Sequence, residues 1–263
     1  MEYFDSHCHY DDEKFNQDRE EILDSIVKEG VTKIISAGYS LEGSIKNLEL
    51  SKKYNFIYTT IGISPNDINE NFKEELEEEE NLIEKEYNVE KNKKIVAIGE
   101  IGLDYHYNEN KSIQKEVFIN QINLANKYNL PIVIHTREAV MDTIEIIKNH
   151  VVNRRGVFHC CPFNRELVKE ALKLGYYISF SGTCTFKNAK NAEEIVKMVP
   201  DDRFFIETDA PYLAPEPVRG KRNDSRNLKY IVKKIAEFKS ETEEEIARKS
   251  FENTMKFYEI KAW

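Results

Sequence analysis

Six histidines occur in the chain, at positions 7, 9, 106, 135, 150 and 159. His7 and His9 lie two residues apart in the run Asp5-Ser-His-Cys-His9. Side chains alternate along a strand, so these two imidazoles share a face and Cys8 takes the other. Two imidazoles so placed can grip one cation, and Asp5 has the parity to orient an imidazole. His135 and His159 each close a short apolar run, while Glu100 and Asp209 each follow one. Four imidazoles and two carboxylates are more than one tetrahedral ion takes; they suit two divalent ions bridged by a carboxylate. Nitrogen and oxygen donors fit Zn, Mg or Mn. Glu100 is the expected bridge, and Asp209 is expected to orient and deprotonate a water as general base.

Donors this far apart need a scaffold that gathers them. Strand-like runs fall at Tyr3–Asp5, Val31–Ser36, Phe56–Ile61, Ile95–Gly99, Ile132–His135, Gly156–His159, Tyr177–Phe180 and Phe204–Glu207. Helix-like stretches lie between them, near 17–29, 42–53, 70–89, 111–128, 138–149, 164–174, 188–198 and 225–239, with a last one near 242–258. Strands alternating with helices imply parallel pairing through right-handed crossovers. Eight such units predict a TIM (β/α)8 barrel, in which the C-terminal strand ends share one face. An open doubly wound sheet would call for a Gly-rich loop after the first strand, and Asp5-Ser-His-Cys-His9 is not one. No repeat or Pro/Gly/Ser linker divides the chain, so one domain over 1–263 is expected.

The composition is that of a soluble globular protein, with 40% hydrophobic and 32% charged residues in 263. No apolar run is long enough to span a membrane and no signal peptide is evident, so a cytoplasmic protein without a membrane partner is expected. The four cysteines, 8, 160, 161 and 184, suggest no disulfide framework. The net charge of -9 is unevenly placed: nine Glu fall in 71–90, read as a solvated helix face, while 215–240 holds eight bases against three acids. A polyanionic ligand near the C-terminal third is therefore compatible with the overall acidity.

Four blocks carry a family likeness: Asp5-Ser-His-Cys-His9, Gly99-Glu-Ile-Gly-Leu-Asp-Tyr105, Ile134-His-Thr-Arg-Glu-Ala139 and Glu207-Thr-Asp-Ala-Pro-Tyr-Leu213. With Arg219-Gly-Lys-Arg-Asn223, they make the chain resemble the TatD family of metal-dependent hydrolases from Asp5 to about Tyr258. The resemblance implies a deoxyribonuclease-like phosphodiesterase, end-acting, on an amidohydrolase-type barrel. Its metal ligands would be His7, His9, Glu100, His135, His159 and Asp209, the set also picked out by strand-end placement. The expected substrate is DNA, as a single-stranded end or nicked duplex, and a monomer is the expected state. In two places the chain departs from the family pattern. The family's G-x-H-P-H block reads Gly62-Ile-Ser-Pro-Asn66, so Ser64 and Asn66 replace two histidines. They can hydrogen-bond a phosphate but are poor metal ligands. The block after strand six reads His159-Cys-Cys-Pro-Phe163 in place of H-x-F-S/T-G.

Arg137, two residues past His135, could clamp a phosphate with its planar fork or pair with Glu138. Arg219, Lys221 and Arg222, in the long loop after strand eight, are candidates for flanking phosphates. Glu207 shares the parity of Asp209 and reads as a partner of the site or an inward layer residue. Cys161 shares the parity of His159, with burial as the plainer reading, and His150 reads as a helix-end residue. Tyr105, Tyr107 and Tyr212 could stack bases or pack, and His106 could contact substrate. Two other functions fit the same scaffold. An amide or cyclic-imide hydrolase would bridge its metals with a carbamylated lysine, but Lys93 and Lys94 precede strand four at the wrong end. A catalytically silent nucleic-acid-binding barrel would have no use for six intact ligands.

Overall fold

The computed structural model describes residues 1–87, 93–107 and 110–261. In chain order the elements are β1 (Tyr3–Cys8), α1 (Arg19–Lys28), β2 (Val31–Ser36), α2 (Leu41–Lys53), β3 (Ile57–Ile61), α3 (Phe72–Tyr87) and β4 (Ile95–Asp104). There follow α4 (Lys111–Lys127), β5 (Ile132–Arg137), α5 (Val140–Asn149), β6 (Gly156–Phe158), α6 (Arg165–Lys173) and β7 (Tyr177–Phe180). The last are α7 (Ala192–Met198), β8 (Phe204–Ile206), α8 (Leu228–Lys239) and α9 (Glu243–Phe257). Sheet order follows chain order, β1 through β8. The end of the helix expected at 70–89, residues 88 and 89, lies outside the described residues.

Two compact units are interleaved along the chain. The first comprises Met1–Ile35, His159–Lys173 and Tyr177–Trp263; the second comprises Ser36–Phe158 and Leu174–Tyr176. Both are discontinuous, so no linker composition marks them in the sequence.

In the first unit β7 pairs parallel with β8, Ile178 opposite Phe204 and Phe180 opposite Ile206. The chain beyond β8 meets the end of β1: the Asp209 amide donates to the His7 carbonyl at 2.9 Å, and the His9 amide to that of Ala210 at 2.6 Å. Asp5, fully buried on β1, reinforces this seam. Its carboxylate accepts from the Thr208 amide (2.9 Å) and hydroxyl (2.5 Å) and from Ser225 Oγ (2.6 Å). An aromatic layer closes the outside. Phe4 meets Phe251 edge-on at 5.9 Å, and Tyr177 stacks on Phe205 at 4.9 Å. Each such ring contributes about 1.5–3 kcal/mol by burial. The Thr242–Glu245 capping box starts α9, satisfying two amides at the helix N-terminus.

In the second unit β3, β4, β5 and β6 pair parallel in turn. Ile63, Phe72 and Val117 form a buried cluster with Ile68, Leu76 and Ile113 packed against it, joining α3 to α4. Only one side of α3 is acidic surface. Glu79 is completely buried, an exception to the expected solvated Glu face.

The main departure from the sequence reading is β4. It was expected to stop at Gly99, with Glu100 following, but it continues to Asp104 and Glu100 lies inside it. The β4–β5 register shifts between Ile98 and Ile101, so the apolar alternation that marks a strand breaks where the strand does not. Gly102 carries the strand onward at φ +137, where a Cβ would lie 2.0 Å from the His135 carbonyl oxygen. Only glycine fits that backbone and that spacing.

Candidate metal centre

Each unit holds one cluster of the donors singled out by sequence. In the first, His7 comes from β1, His9 from the residue just after it, His159 from the residue after β6 and Asp209 from beyond β8. His7 Nε2 and His9 Nε2 are 3.2 Å apart. Asp209 Oδ1 lies 3.7 Å from His7 Nε2 and 3.4 Å from His9 Nε2. The His159 ring stacks on His7 with centroids 4.0 Å apart. Donor atoms of His7, His159 and Asp209 all fall within 4.8 Å of one another. Ligands sharing one tetrahedral ion at about 2.0–2.1 Å stand roughly 3.3 Å apart, so the donor set fits a divalent cation.

The electrostatics agree with that reading. Burial alone would raise the Asp209 carboxyl, but the hydrogen bond from His9 and the nearby His159, His9 and His7 outweigh it and hold it below the usual range. Glu207, completely buried, lies 3.4 Å from His159 Nδ1 through Oε1, which also accepts from the Cys160 amide at 2.6 Å. Glu207 thus stands against the His159 ring without a hydrogen bond to its Nδ1, and its firm contact is with the turn at Cys160.

Asp5 plays a different part from the one expected. Its carboxylate accepts from the Thr208 and Ser225 hydroxyls and from the Thr208 and His7 amides (the last at 3.4 Å) rather than from an imidazole ring. Burial pushes its carboxyl up to about 7, against the lowering effect of the Ser225 and Thr208 hydrogen bonds.

In the second unit, Glu100 on β4 and His135 on β5 come together, Glu100 Oε1 2.9 Å from His135 Nδ1. Asp104, at the end of β4, was not singled out from sequence although it lies in the Gly99–Tyr105 block. Its Oδ2 lies 3.0 Å from His135 Nε2 and accepts from Asn66 Nδ2 at 3.0 Å, while Oδ1 accepts from the His106 amide at 2.9 Å. Burial would raise the Asp104 carboxyl; the hydrogen bonds from His135, Asn66 and the His106 amide overcome it and hold the group well below the carboxylate range. Asn66, at one of the two replaced family histidines, is therefore engaged in supporting Asp104. Ser64 Oγ donates to Asp67 Oδ2 at 2.5 Å.

The remaining candidates sort by their partners. Arg137 does not pair with Glu138, which bonds His106 Nδ1 at 2.7 Å; its guanidinium instead lies 4.6 Å over the Tyr107 ring. Arg222 is held by Asp18 through two contacts of 2.8 and 2.6 Å, whereas Arg219 lies 4.1 Å over Phe186 with Glu216 at 3.9 Å. The turn at Cys160 (φ 38) ends the alternation after His159, so the parity argument for Cys161 lapses and its thiol is buried. Cys8 is likewise buried, its thiol donating to the Ile35 carbonyl at 3.2 Å. His150 is the C-cap of α5. Lys94 spends its ammonium on the carbonyls of Tyr54, Asn55 and Ile57, at 3.0–3.1 Å, ahead of β4. No helix among the described residues is long and apolar enough to cross a membrane.

Imidazoles and carboxylates clustered along parallel strands of a β/α fold are the donor set that a metal-dependent hydrolase of the barrel type requires. A family model described as TatD related DNase matches residues 4–259, and the chain belongs to the TatD family. An uncharacterized metal-dependent hydrolase of Bacillus subtilis, YabD, is 42% identical over 259 residues, covering 98% of this chain and 99% of its own length. A counterpart from Methanocaldococcus jannaschii, also described as an uncharacterized metal-dependent hydrolase, is 36% identical, with 98% of this chain and 97% of its own covered. The crystal structure of YJJV, a TatD homologue from Escherichia coli K12, matches with a TM-score of 0.90 at 27% identity, covering 98% of each chain. The fold class is accordingly the one expected, a TIM barrel of the metal-dependent hydrolase type.

Proposed function

We propose that this protein hydrolyses phosphodiester bonds in DNA, working from a single-stranded end or a nick, with two divalent cations (Zn, Mg or Mn). The cations would be held by His7, His9, His159 and Asp209 of the first unit and by Glu100 and His135 of the second. The observation that carries the reading is the convergence of His7 Nε2, His9 Nε2 and Asp209 Oδ1 within 3.7 Å, in a chain matched by a model described as a DNase family. Bound divalent cations supply positive charge against phosphate oxygens and a water acidic enough to act as nucleophile near neutral pH.

The chain's own groups do the rest. Asp209, kept ionised by three imidazoles, accepts the proton of the attacking water. Asp104 holds the ring of His135 so that its other nitrogen faces Glu100, and the Glu207 carboxylate lies beside the ring of His159. Arg137 offers its fork to a phosphate oxygen, and Arg219 is better placed than the Asp18-bound Arg222 to reach a flanking phosphate. We read the whole chain as one catalytic domain, acting as a cytoplasmic monomer. The Lys94 contacts weigh against the carbamylated-lysine bridge that an amide or cyclic-imide hydrolase would use.

The test is a metal-dependent assay with end-labelled single-stranded DNA, comparing the native protein with Asp209→Asn. Stepwise release of nucleotides with Mg2+ or Mn2+, stopped by EDTA, is the expected result. Inactivity across DNA substrates together with turnover of an amide panel would reject the reading.

A further inference from the structure

Three tyrosines were candidates to stack bases, and the structure separates them. The Tyr105 hydroxyl donates to Asp142 at 2.6 Å and Lys111 lies 4.4 Å from its ring. The Tyr212 hydroxyl donates to Asp12 at 2.6 Å and Lys14 lies 4.1 Å from its ring. Both rings are tied down by polar partners. Tyr107 is different: it is 70% exposed, with the Arg137 guanidinium 4.6 Å from its centroid and the His106 ring edge-on at 4.6 Å.

We propose that Tyr107 and Arg137 form a stacking step that seats a nucleobase of a single-stranded polynucleotide beside the Asp104–His135 pair. The proposal rests on the phosphodiesterase reading and names the part of the substrate that this rim would recognise. Position is the first argument. Arg137 is the register partner of Asp104 in the β4–β5 pair, and the Tyr105 amide donates to the Arg137 carbonyl at 2.9 Å. The step therefore stands two residues beyond His135 on β5 and level with Asp104 on β4, next to the Glu100–His135 donors. Chemistry is the second. A planar exposed ring offers a π-face that any base can use, and a guanidinium stacks on rings while reaching phosphate oxygens. Charge is the third. Glu138 is occupied by His106, and among the described residues no carboxylate neutralises Arg137. A polyanion meets an open cation there.

The experiment measures binding to the metal-loaded protein of fluorescent phosphorothioate-linked oligomers of about ten nucleotides, which resist cleavage. A base-containing oligomer is compared with an abasic one carrying the same phosphates. The native protein should bind the base-containing oligomer roughly tenfold more tightly. Tyr107→Ala should abolish that preference, Tyr107→Trp should keep it, and Arg137→Ala should weaken both oligomers. Melting temperatures verify that each variant is folded. Equal affinity of native and Tyr107→Ala proteins for the base-containing oligomer, or no base preference in the native protein, overturns the proposal. Base-dependent binding without DNA cleavage would instead refute the phosphodiesterase reading and leave the stacking step standing.

Discussion

Asp104 Oδ2 stands 3.0 Å from His135 Nε2, and the other nitrogen of the same ring stands 2.9 Å from Glu100 Oε1. One imidazole is thus held between two carboxylates of β4. The two carboxylates are not equivalent. Asp104 also accepts from Asn66 and the His106 amide, which anchors it and makes it the fixed partner. With Nε2 committed to that partner, Nδ1 is the nitrogen turned toward Glu100 and toward any cation Glu100 holds. A carboxylate behind a ligating imidazole fixes its tautomer and raises its basicity.

Asp104→Asn should therefore weaken metal binding by about tenfold to a hundredfold with the fold retained. Calorimetric titration of the metal-free protein with Zn2+ or Mn2+ reads the affinity, and thermal melting reads the fold. Asn66→Ala, which removes one anchor but leaves the carboxylate, should have a smaller effect in the same direction. Native affinity in Asp104→Asn would leave Asp104 a purely local contact.

How much of this could be read from the amino acids depends on the kind of signal each residue leaves. The parity of His7 and His9 is a local property of a strand, and both nitrogens were found converging. The eight β/α alternations are also local patterns, and the fold class followed from them. Asp104 left no such signal, because the shift between Ile98 and Ile101 breaks the alternation and the run reads as ending at Gly99. Arg222 shows the opposite failure. A cation in a loop reads as free for a phosphate, but Asp18, distant in sequence, takes it. Pairings set by long-range geometry are invisible to spacing arguments.

Glu100→Ala should lower the metal content of the purified protein while its melting temperature in EDTA stays near native. Glu100 lies on β4 with its amide bound to the Gly38 carbonyl at 2.7 Å, a backbone contact the substitution preserves. Asp209→Asn should lower kcat on DNA by about a hundredfold or more, as expected when a general base loses its charge. Metal analysis and end-labelled DNA kinetics check the two in parallel. Full metal content in Glu100→Ala would remove it from the ligand set.

Gly102→Ala should destabilise the protein by more than about 2 kcal/mol, enough to lower the melting temperature by roughly 5 °C or more. The new Cβ would lie 2.0 Å from the His135 carbonyl oxygen, at a φ of +137 that L-residues avoid. Relief requires β4 and β5 to separate, which moves His135 away from both its carboxylates. Metal affinity should fall together with stability. A native melting curve would mean that the strand pair is far softer than this spacing implies.

Glu79→Leu should stabilise the protein, and the gain should grow with pH. Glu79 is completely buried on α3, and neither carboxylate oxygen has a hydrogen-bond partner among the described residues. Burial, with a smaller push from Glu75, raises its carboxyl well above the ordinary value. An acid with a raised folded-state pKa binds its proton more tightly in the native state than in the unfolded chain. Below the unfolded value of about 4.3 both states are protonated and the group adds no pH dependence. As pH climbs above that value the unfolded chain releases the proton first, so native stability falls until the folded group also ionises. Leucine removes this penalty and the unpaired buried oxygens, which cost about 1–3 kcal/mol. Melting temperatures from pH 4 to pH 8 should therefore diverge, with the variant ahead by roughly 2–4 °C per kcal/mol at the alkaline end. A gain independent of pH would show that Glu79 ionises normally in the folded chain, and a loss would show that its carboxyl has a partner.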